Sequence, residues 1–178
     1  ISFIGNGVPT LVRRCLGAAV SEDLDYEAAL AAFRRHYLAA PTVLSRPYEG
    51  VTEMLNELTN EGFKLAVCTN KSEGMTSEVL EGLGLDGFFQ AVVGGDTLPV
   101  RKPDPEPLRL AFRLIKQQCE GALYIGDSEV DAETAEAAGS TFALFSGGYR
   151  NTPVDQLRTH FVFDEFNQLA KYIFNRTA

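Results

Sequence analysis

Residues 122–131, reading ALYIGDSEVD, constrain the fold more than any other stretch: an apolar strand runs straight into a glycine, two carboxylates and the start of a helix. A strand that passes at once into a helix calls for helices layered on a sheet. In open α/β sheets, ligands bind in the crevice beyond the carboxyl ends of the strands. Asp127 is therefore presented to ligand, Gly126 leaves room for close backbone approach, and Asp131 follows one helical turn later. Carboxylates so placed suit a hard cation such as Mg²⁺, which takes one or two carboxylates together with water and phosphate oxygens. The same residues also read as a capping box, with Ser128 at N-cap and Asp131 at N3, and both readings stand at this point.

The rhythm of helix and strand extends over most of the chain. Residues 49–61 read as a helix with Val51, Met54, Leu55 and Leu58 inward, closed by Gly62. Residues 63–68 form a strand apolar at almost every position, as expected when both faces are covered. Residues 73–83 make a helix, 91–93 a short strand, and 106–116 a helix with Leu108, Ala111, Phe112 and Ile115 on one face. Residues 129–138 give a helix with a small face of Ala132, Ala135 and Ala138; 141–145 a strand; 160–163 an edge strand; 166–174 a terminal helix. This pattern predicts an α/β fold with a mostly parallel sheet and helices on both faces. Ahead of it, Val8, Leu11, Val12, Cys15, Leu16 and Ala19, then Tyr26, Leu30, Phe33 and Tyr37, mark two amphipathic helices joined by a turn at 17–25. Pro41 stops the helical pattern, and 45–48 reads as a linker.

Composition narrows the function classes. The chain has 178 residues, 45% of them hydrophobic, enough for the core of one domain and part of a second. A net charge of -8, with no Lys/Arg run longer than a pair, argues against nucleic acid or an anionic membrane as partner. Phosphate can still bind if a metal or a local lysine supplies positive charge. Cys15, Cys68 and Cys119, odd in number and outside any CxxC pattern, read as reduced core thiols of a cytoplasmic protein. No apolar run approaches the roughly 18 residues of a membrane span.

Two other strand ends carry chemistry. Thr69-Asn70-Lys71-Ser72 places a hydroxyl and backbone N–H groups just before a helix, which is an anion seat; the alternative is a polar turn with Ser72 as N-cap. In Arg101-Lys102-Pro103-Asp104-Pro105-Glu106-Pro107, Asp104 as N-cap with Pro105 at N1 accounts for a helix start. It does not account for Lys102 ahead of Pro103, and a lone loop lysine otherwise reads as solvated surface.

In combination, a hydroxyl after one strand, a Lys-Pro on a later loop and Gly-Asp-x-x-x-Asp after a further strand resemble three motifs of the haloacid dehalogenase-like (HAD) superfamily of phosphatases, in the same order. The resemblance covers nearly the whole chain. It is strongest to the phosphoglycolate phosphatase branch, which has counterparts of Ile4-Gly5-Asn6-Gly7, Thr69-Asn70-Lys71, Gly94-Gly95-Asp96, Lys102-Pro103-Asp104-Pro105-Glu106-Pro107 and Gly126-Asp127-Ser128. Ser146-Gly147-Gly148-Tyr149-Arg150 departs from that branch's usual Tyr-Gly-Tyr stretch. The resemblance implies a Rossmann-like core over 45–178 and the remainder of a small helical cap over 1–44. It implies a hydrolase of small phosphate monoesters such as 2-phosphoglycolate, with Mg²⁺ as cofactor, a small phosphorylated substrate as partner, and a monomer or homodimer. Thr69 and the Asn70 N–H would hold phosphate oxygens, and Lys102 would neutralise charge on the phosphoryl group and attacking carboxylate. Asp127 would bind Mg²⁺ directly, Asp131 would serve the metal or orient Lys102, and Asn6 or Arg14 would reach a short substrate carboxylate. Thr69, Lys102, Asp127 and Asp131 should then converge at one edge of the sheet.

One element of that family's pattern is missing. Its nucleophile is the first aspartate of Asp-x-Asp-Gly-Thr on the first, central strand, which forms an aspartyl-phosphate, and no such motif occurs in this sequence. The resemblance therefore implies some forty preceding residues and an inactive fragment without them. It also implies either a slot about two strand spacings wide, near 9.6 Å, between the strands ending at Cys68 and Ile125, or direct pairing of those strands in a rearranged sheet; the slot is the expectation, because rearrangement would misplace Thr69 relative to Asp127. The alternatives are another sugar-phosphate phosphatase or phosphomutase of the superfamily, or a catalytically inactive binding or scaffold protein. A receiver-like signalling domain uses acid, Thr and Lys in that order; here the order is Thr69, Lys102, Asp127.

Overall fold

The computed structural model describes residues 7–18 and 25–177. Two helices open the chain, α1 (Val8–Ala18) and α2 (Tyr26–Ala39), packed on one another. Asp25 caps α2, its carboxylate accepting the N–H groups of Glu27 and Ala28. The rest alternates: α3 (Val51–Asn60), β1 (Ala66–Cys68), α4 (Glu73–Gly82), β2 (Ala91–Val93), α5 (Glu106–Leu114), β3 (Leu123–Gly126), α6 (Glu129–Ala138), β4 (Thr141–Phe145), β5 (Phe161–Phe163) and α7 (Phe166–Thr177). All strand pairings are parallel. The α/β, Rossmann-like arrangement is the one the alternation of apolar strands and amphipathic helices predicts.

β4 shows why the helices lie on both faces. Successive strand side chains point to opposite sides, and here both sides are apolar. Phe142 and Leu144 join Leu108, Phe112 and Ile115 of the α5 segment and Ala132, Ala135 and Ala138 of α6 in one core. Ala143 and Phe145 face the other way, into Met54 and Leu58 of α3 and Leu169, Ala170 and Ile173 of α7. The small alanine face of α6 lets that helix approach the sheet closely. No helix among the described residues is long and apolar enough to cross a membrane.

Several boundaries differ from the sequence reading for local reasons. β1 is shorter than 63–68 because Leu65 donates its N–H to the Gln90 side chain and accepts from the Gln90 N–H, ahead of the ladder. Asp104 acts one residue further out than expected: Pro105 is the N-cap of α5, and Asp104 Oδ1 accepts the Glu106 N–H at 2.9 Å. Ser72 is the N-cap of α4 without a side-chain cap bond, and the Glu73 N–H is taken instead by Asp96 at 2.7 Å. Cys15 is exposed on α1, not a core thiol, because the buried stripe of α1 runs through Val12. The expected turn at 17–25 falls largely outside the described residues.

The strands form two sheets. β1 pairs with β2, and β4 lies between β3 and β5; among the described residues no ladder joins β1 to β3. Between their amino ends lies a cavity of about 370 Å³ lined by Leu58, Phe63, Leu65, Phe112, Leu123 and Ile125, among others. At their carboxyl ends the two sheets are bridged by side chains that reach the Cys68 carbonyl, Lys102 Nζ at 3.0 Å and the Tyr124 hydroxyl at 3.5 Å.

Candidate active site

The carboxyl ends of β1 and β3 open into a cavity of about 360 Å³ whose lining includes Thr69, Asn70, Lys102, Asp127 and Asp131. The ends of β1 and β3 and the Lys-Pro loop are thus brought to one cavity, where the two sheets meet. Asn6 lies outside the described residues. Arg14, half-buried on α1, is not among the residues lining the cavity.

Lys102 is not a solvated loop lysine. Its side chain is 10% exposed, and its ammonium donates to Asp131 Oδ1 at 2.7 Å, the Tyr124 hydroxyl at 2.8 Å and the Cys68 carbonyl at 3.0 Å. Its carbonyl accepts from Asn70 Nδ2 at 3.0 Å, which ties the loop after β1 to the Lys-Pro loop. Asp131 is occupied throughout. Oδ1 accepts from Lys102 and from the Tyr124 hydroxyl at 2.7 Å, while Oδ2 accepts from Ser128 Oγ at 2.7 Å and from the N–H groups of Asp127 and Ser128. The capping box is formed as well, so structural and functional readings of Ser128 and Asp131 hold together. Burial pushes the Asp131 carboxyl up, but the Lys102 charge and the hydrogen bonds from Lys102, Ser128 and Tyr124 outweigh it and hold the group at about 2. Both oxygens are engaged in this way, and of the two roles expected for Asp131, serving the metal or orienting Lys102, this geometry supports the second.

Asp127 differs. It accepts the Tyr149 N–H at 2.9 Å on Oδ2, and burial raises its carboxyl above the usual range, with the neighbouring Asp131 adding to the effect and the Tyr149 N–H and Lys102 opposing it. A half-buried carboxylate beside a second one is a place where a cation relieves the cost of the charge. Among the described residues no group of three or more His, Cys, Asp or Glu is placed to hold a metal; Asp127 would offer Mg²⁺ a single carboxylate, with water and phosphate oxygens left to complete its shell. Two glycines make this packing possible. A Cβ at Gly126 would lie 2.4 Å from Asp131 Cβ, and one at Gly148 would lie 2.1 Å from Asp127 Cβ.

Thr69 closes a small turn, its hydroxyl oxygen accepting the Lys71 N–H at 3.2 Å, which leaves the hydroxyl proton to donate to an anion. Sequence reading gave no site role to Val8 and Leu11 of α1 or Phe33 and Tyr37 of α2, which form the opposite wall, nor to the Lys71 and Tyr124 side chains and the Tyr149 N–H. Tyr124 looked like one more apolar strand residue. The glycine pair 147–148 was the available signal for a close backbone approach.

An acid, a lysine and a hydroxyl thus gather where the parallel strands of an α/β fold end, the crevice in which such folds bind their ligands. Residues 11–145 match the haloacid dehalogenase-like hydrolase family. The chain is 47% identical over 169 residues to a phosphoglycolate phosphatase of Cereibacter sphaeroides, covering 94% of this chain and 77% of that one. It is 40% identical over 177 residues to the enzyme of the same name in Rhodospirillum rubrum, covering 96% and 73%. A crystal structure from Haemophilus somnus 129PT, described as a predicted phosphoglycolate phosphatase, superposes with a TM-score of 0.88 at 30% identity, covering 97% of this chain and 80% of that one. This chain belongs to the haloacid dehalogenase-like hydrolase family.

Proposed function

We propose that this site hydrolyses small phosphate monoesters, 2-phosphoglycolate among them, by aspartyl-phosphate chemistry. The observation that carries the reading is the convergence of Thr69, Asn70, Lys102 and Asp127 on one cavity, with Lys102 locked by Asp131. In this reading the Thr69 hydroxyl and the Asn70 N–H seat phosphate oxygens. The Lys102 ammonium, whose three N–H bonds go to Asp131, Tyr124 and the Cys68 carbonyl, acts on the negative charge of the phosphoryl group through its own charge, and a direct contact requires it to give up one of these partners. Mg²⁺ bound at Asp127 would supply further charge neutralisation.

The nucleophile must be a carboxylate free to attack, and the lining residues provide none: Asp131 is committed to Lys102, and Asp127 fits the cation. We assign it to the central strand that the family places between β1 and β3, for which the gap between the two sheets is the seat. On this division residues 1–44 are the remainder of the cap and 45–178 the core. A carboxylate oxygen attacks phosphorus and the ester P–O bond breaks; the leaving alkoxide takes a proton from the second aspartate of the same Asp-x-Asp motif, which then takes one from the water that hydrolyses the acyl phosphate, releasing inorganic phosphate and the free carboxylate. Activity assays on protein that includes the upstream strand should show hydrolysis of 2-phosphoglycolate in preference to hexose phosphates. A preference for hexose phosphates removes the substrate assignment, and turnover by residues 1–178 alone refutes the assignment of the nucleophile.

A further inference from the structure

The cavity holds a second cation with a different disposition. Lys71, two residues after Thr69, lines the same cavity as Lys102. Its backbone is pinned at both ends, the N–H donating to Thr69 Oγ1 at 3.2 Å and the carbonyl accepting from the Gly95 N–H at 2.7 Å. The ammonium reaches across to α2, where it donates to the Tyr37 hydroxyl and lies 4.4 Å from the centroid of the Tyr37 ring. The ring is itself backed by Phe33, stacked at 5.9 Å. Among the described residues no carboxylate lies within ion-pair distance of Lys71, whereas Lys102 is paired with Asp131.

The two lysines therefore suit different tasks. Lys102 has its charge balanced by a buried carboxylate. Lys71 is held by a phenol and a π face, which stabilise a cation without neutralising it, so its full charge remains available to an anion. The surrounding wall, Leu11, Phe33 and Met75, is apolar, which lowers the local dielectric and strengthens a charge-assisted contact.

We propose that Lys71, held by Tyr37, is the specificity residue that reads the carboxylate of the substrate, so that the preferred ligand is a short phosphorylated carboxylic acid. The inference rests on the phosphatase reading above for its choice of ligand, and it replaces Arg14 as the carboxylate partner. Tyr37 belongs to α2 and Lys71 to the loop after β1, so the subsite spans the helical layer and the sheet layer.

The test compares two ligands that differ in one group. 2-Phosphoglycolate and ethyl phosphate, its analogue without the carboxylate, are titrated by calorimetry into the chain in the presence of Mg²⁺. A charge-assisted hydrogen bond predicts at least a roughly tenfold preference for 2-phosphoglycolate. Lys71→Met should bring the ratio of the two affinities to within about twofold of unity, while Lys71→Arg, which keeps the charge, should retain a ratio above about threefold. Equal affinities in the unmodified chain, or a ratio unchanged in Lys71→Met, overturn the proposal, including the case where both ligands weaken together. The same two esters serve as substrates for protein that includes the upstream strand. If neither is hydrolysed while the binding ratio holds, the phosphatase reading fails alone; if both are hydrolysed with no discrimination, the Lys71 assignment fails alone.

Discussion

Replacing Asp131 by Asn keeps the shape of the side chain and removes its charge, and the structure lets the cost be worked out. Asp131 is 7% exposed and Lys102 10%, so the pair is buried. The carboxylate accepts from five donors, Lys102 Nζ, the Tyr124 hydroxyl, Ser128 Oγ and the N–H groups of Asp127 and Ser128. An amide offers one acceptor oxygen, so whichever way it is turned its NH₂ faces donors. Removing one partner of a buried ion pair costs about 3 to 5 kcal/mol, because the other charge is left uncompensated. That is a large share of the roughly 5 to 15 kcal/mol that holds a domain folded.

The carboxyl is held at about 2 against an ordinary 3.8. The ionisation part of its contribution is about 2 kcal/mol. Because the folded value is the lower one, this stability is present in full above pH 3.8 and is lost as pH falls through about 2. Urea unfolding followed by circular dichroism should show Asp131→Asn less stable by about 3 to 5 kcal/mol near neutrality, with the deficit shrinking by about 2 kcal/mol towards pH 2. Lys102→Met should recover much of the loss in the double variant, since neither charge then remains. A deficit under about 1 kcal/mol, or single-variant losses that simply add in the double variant, would refute the reasoning that these two groups form one buried unit.

Two further outcomes follow from the packing around the site. Gly148→Ala places a Cβ within 2.1 Å of Asp127 Cβ, so calorimetric phosphate binding in the presence of Mg²⁺ should fall at least roughly tenfold, with a stability loss of about 1 to 3 kcal/mol; unchanged binding would mean that Asp127 is not placed by this loop. Cys68 is held at about 11, chiefly by burial, with Lys102 opposing and Asp131 reinforcing the effect. Near pH 8 its alkylation, followed by peptide mass spectrometry, should run about 100-fold slower than that of an ordinary thiol, with the exposed Cys15 reacting first.

The parts of this protein legible in its sequence are those set by neighbours along the chain. A helix advertises itself every three or four residues and a strand every two, so α6 and β4 were read with the bounds the structure gives, and the capping box of Ser128 and Asp131 was visible because its two halves lie three residues apart. The order Thr69, Lys102, Asp127 identified the kind of site, since each stands beside a local punctuation of strand end, proline or glycine.

What the sequence alone left undecided are the allegiances between distant residues. Lys102 meets Asp131 across 29 positions, Lys71 meets Tyr37 across 34, and Lys102 meets Tyr124 across 22. No periodicity encodes such separations. They are fixed only when β1 and β3 present their carboxyl ends to one crevice and α2 lies over it. Folding thereby converts Lys102 from a loop lysine into a buried ammonium and pairs Asp131 with it. It also takes the α4 cap from Asp96, 23 residues away from Glu73. The chain's local patterns determined which elements form and which residues end up at their edges; the crossing of those elements in three dimensions decided which charges neutralise each other and which, at Lys71 and Asp127, remain for a ligand.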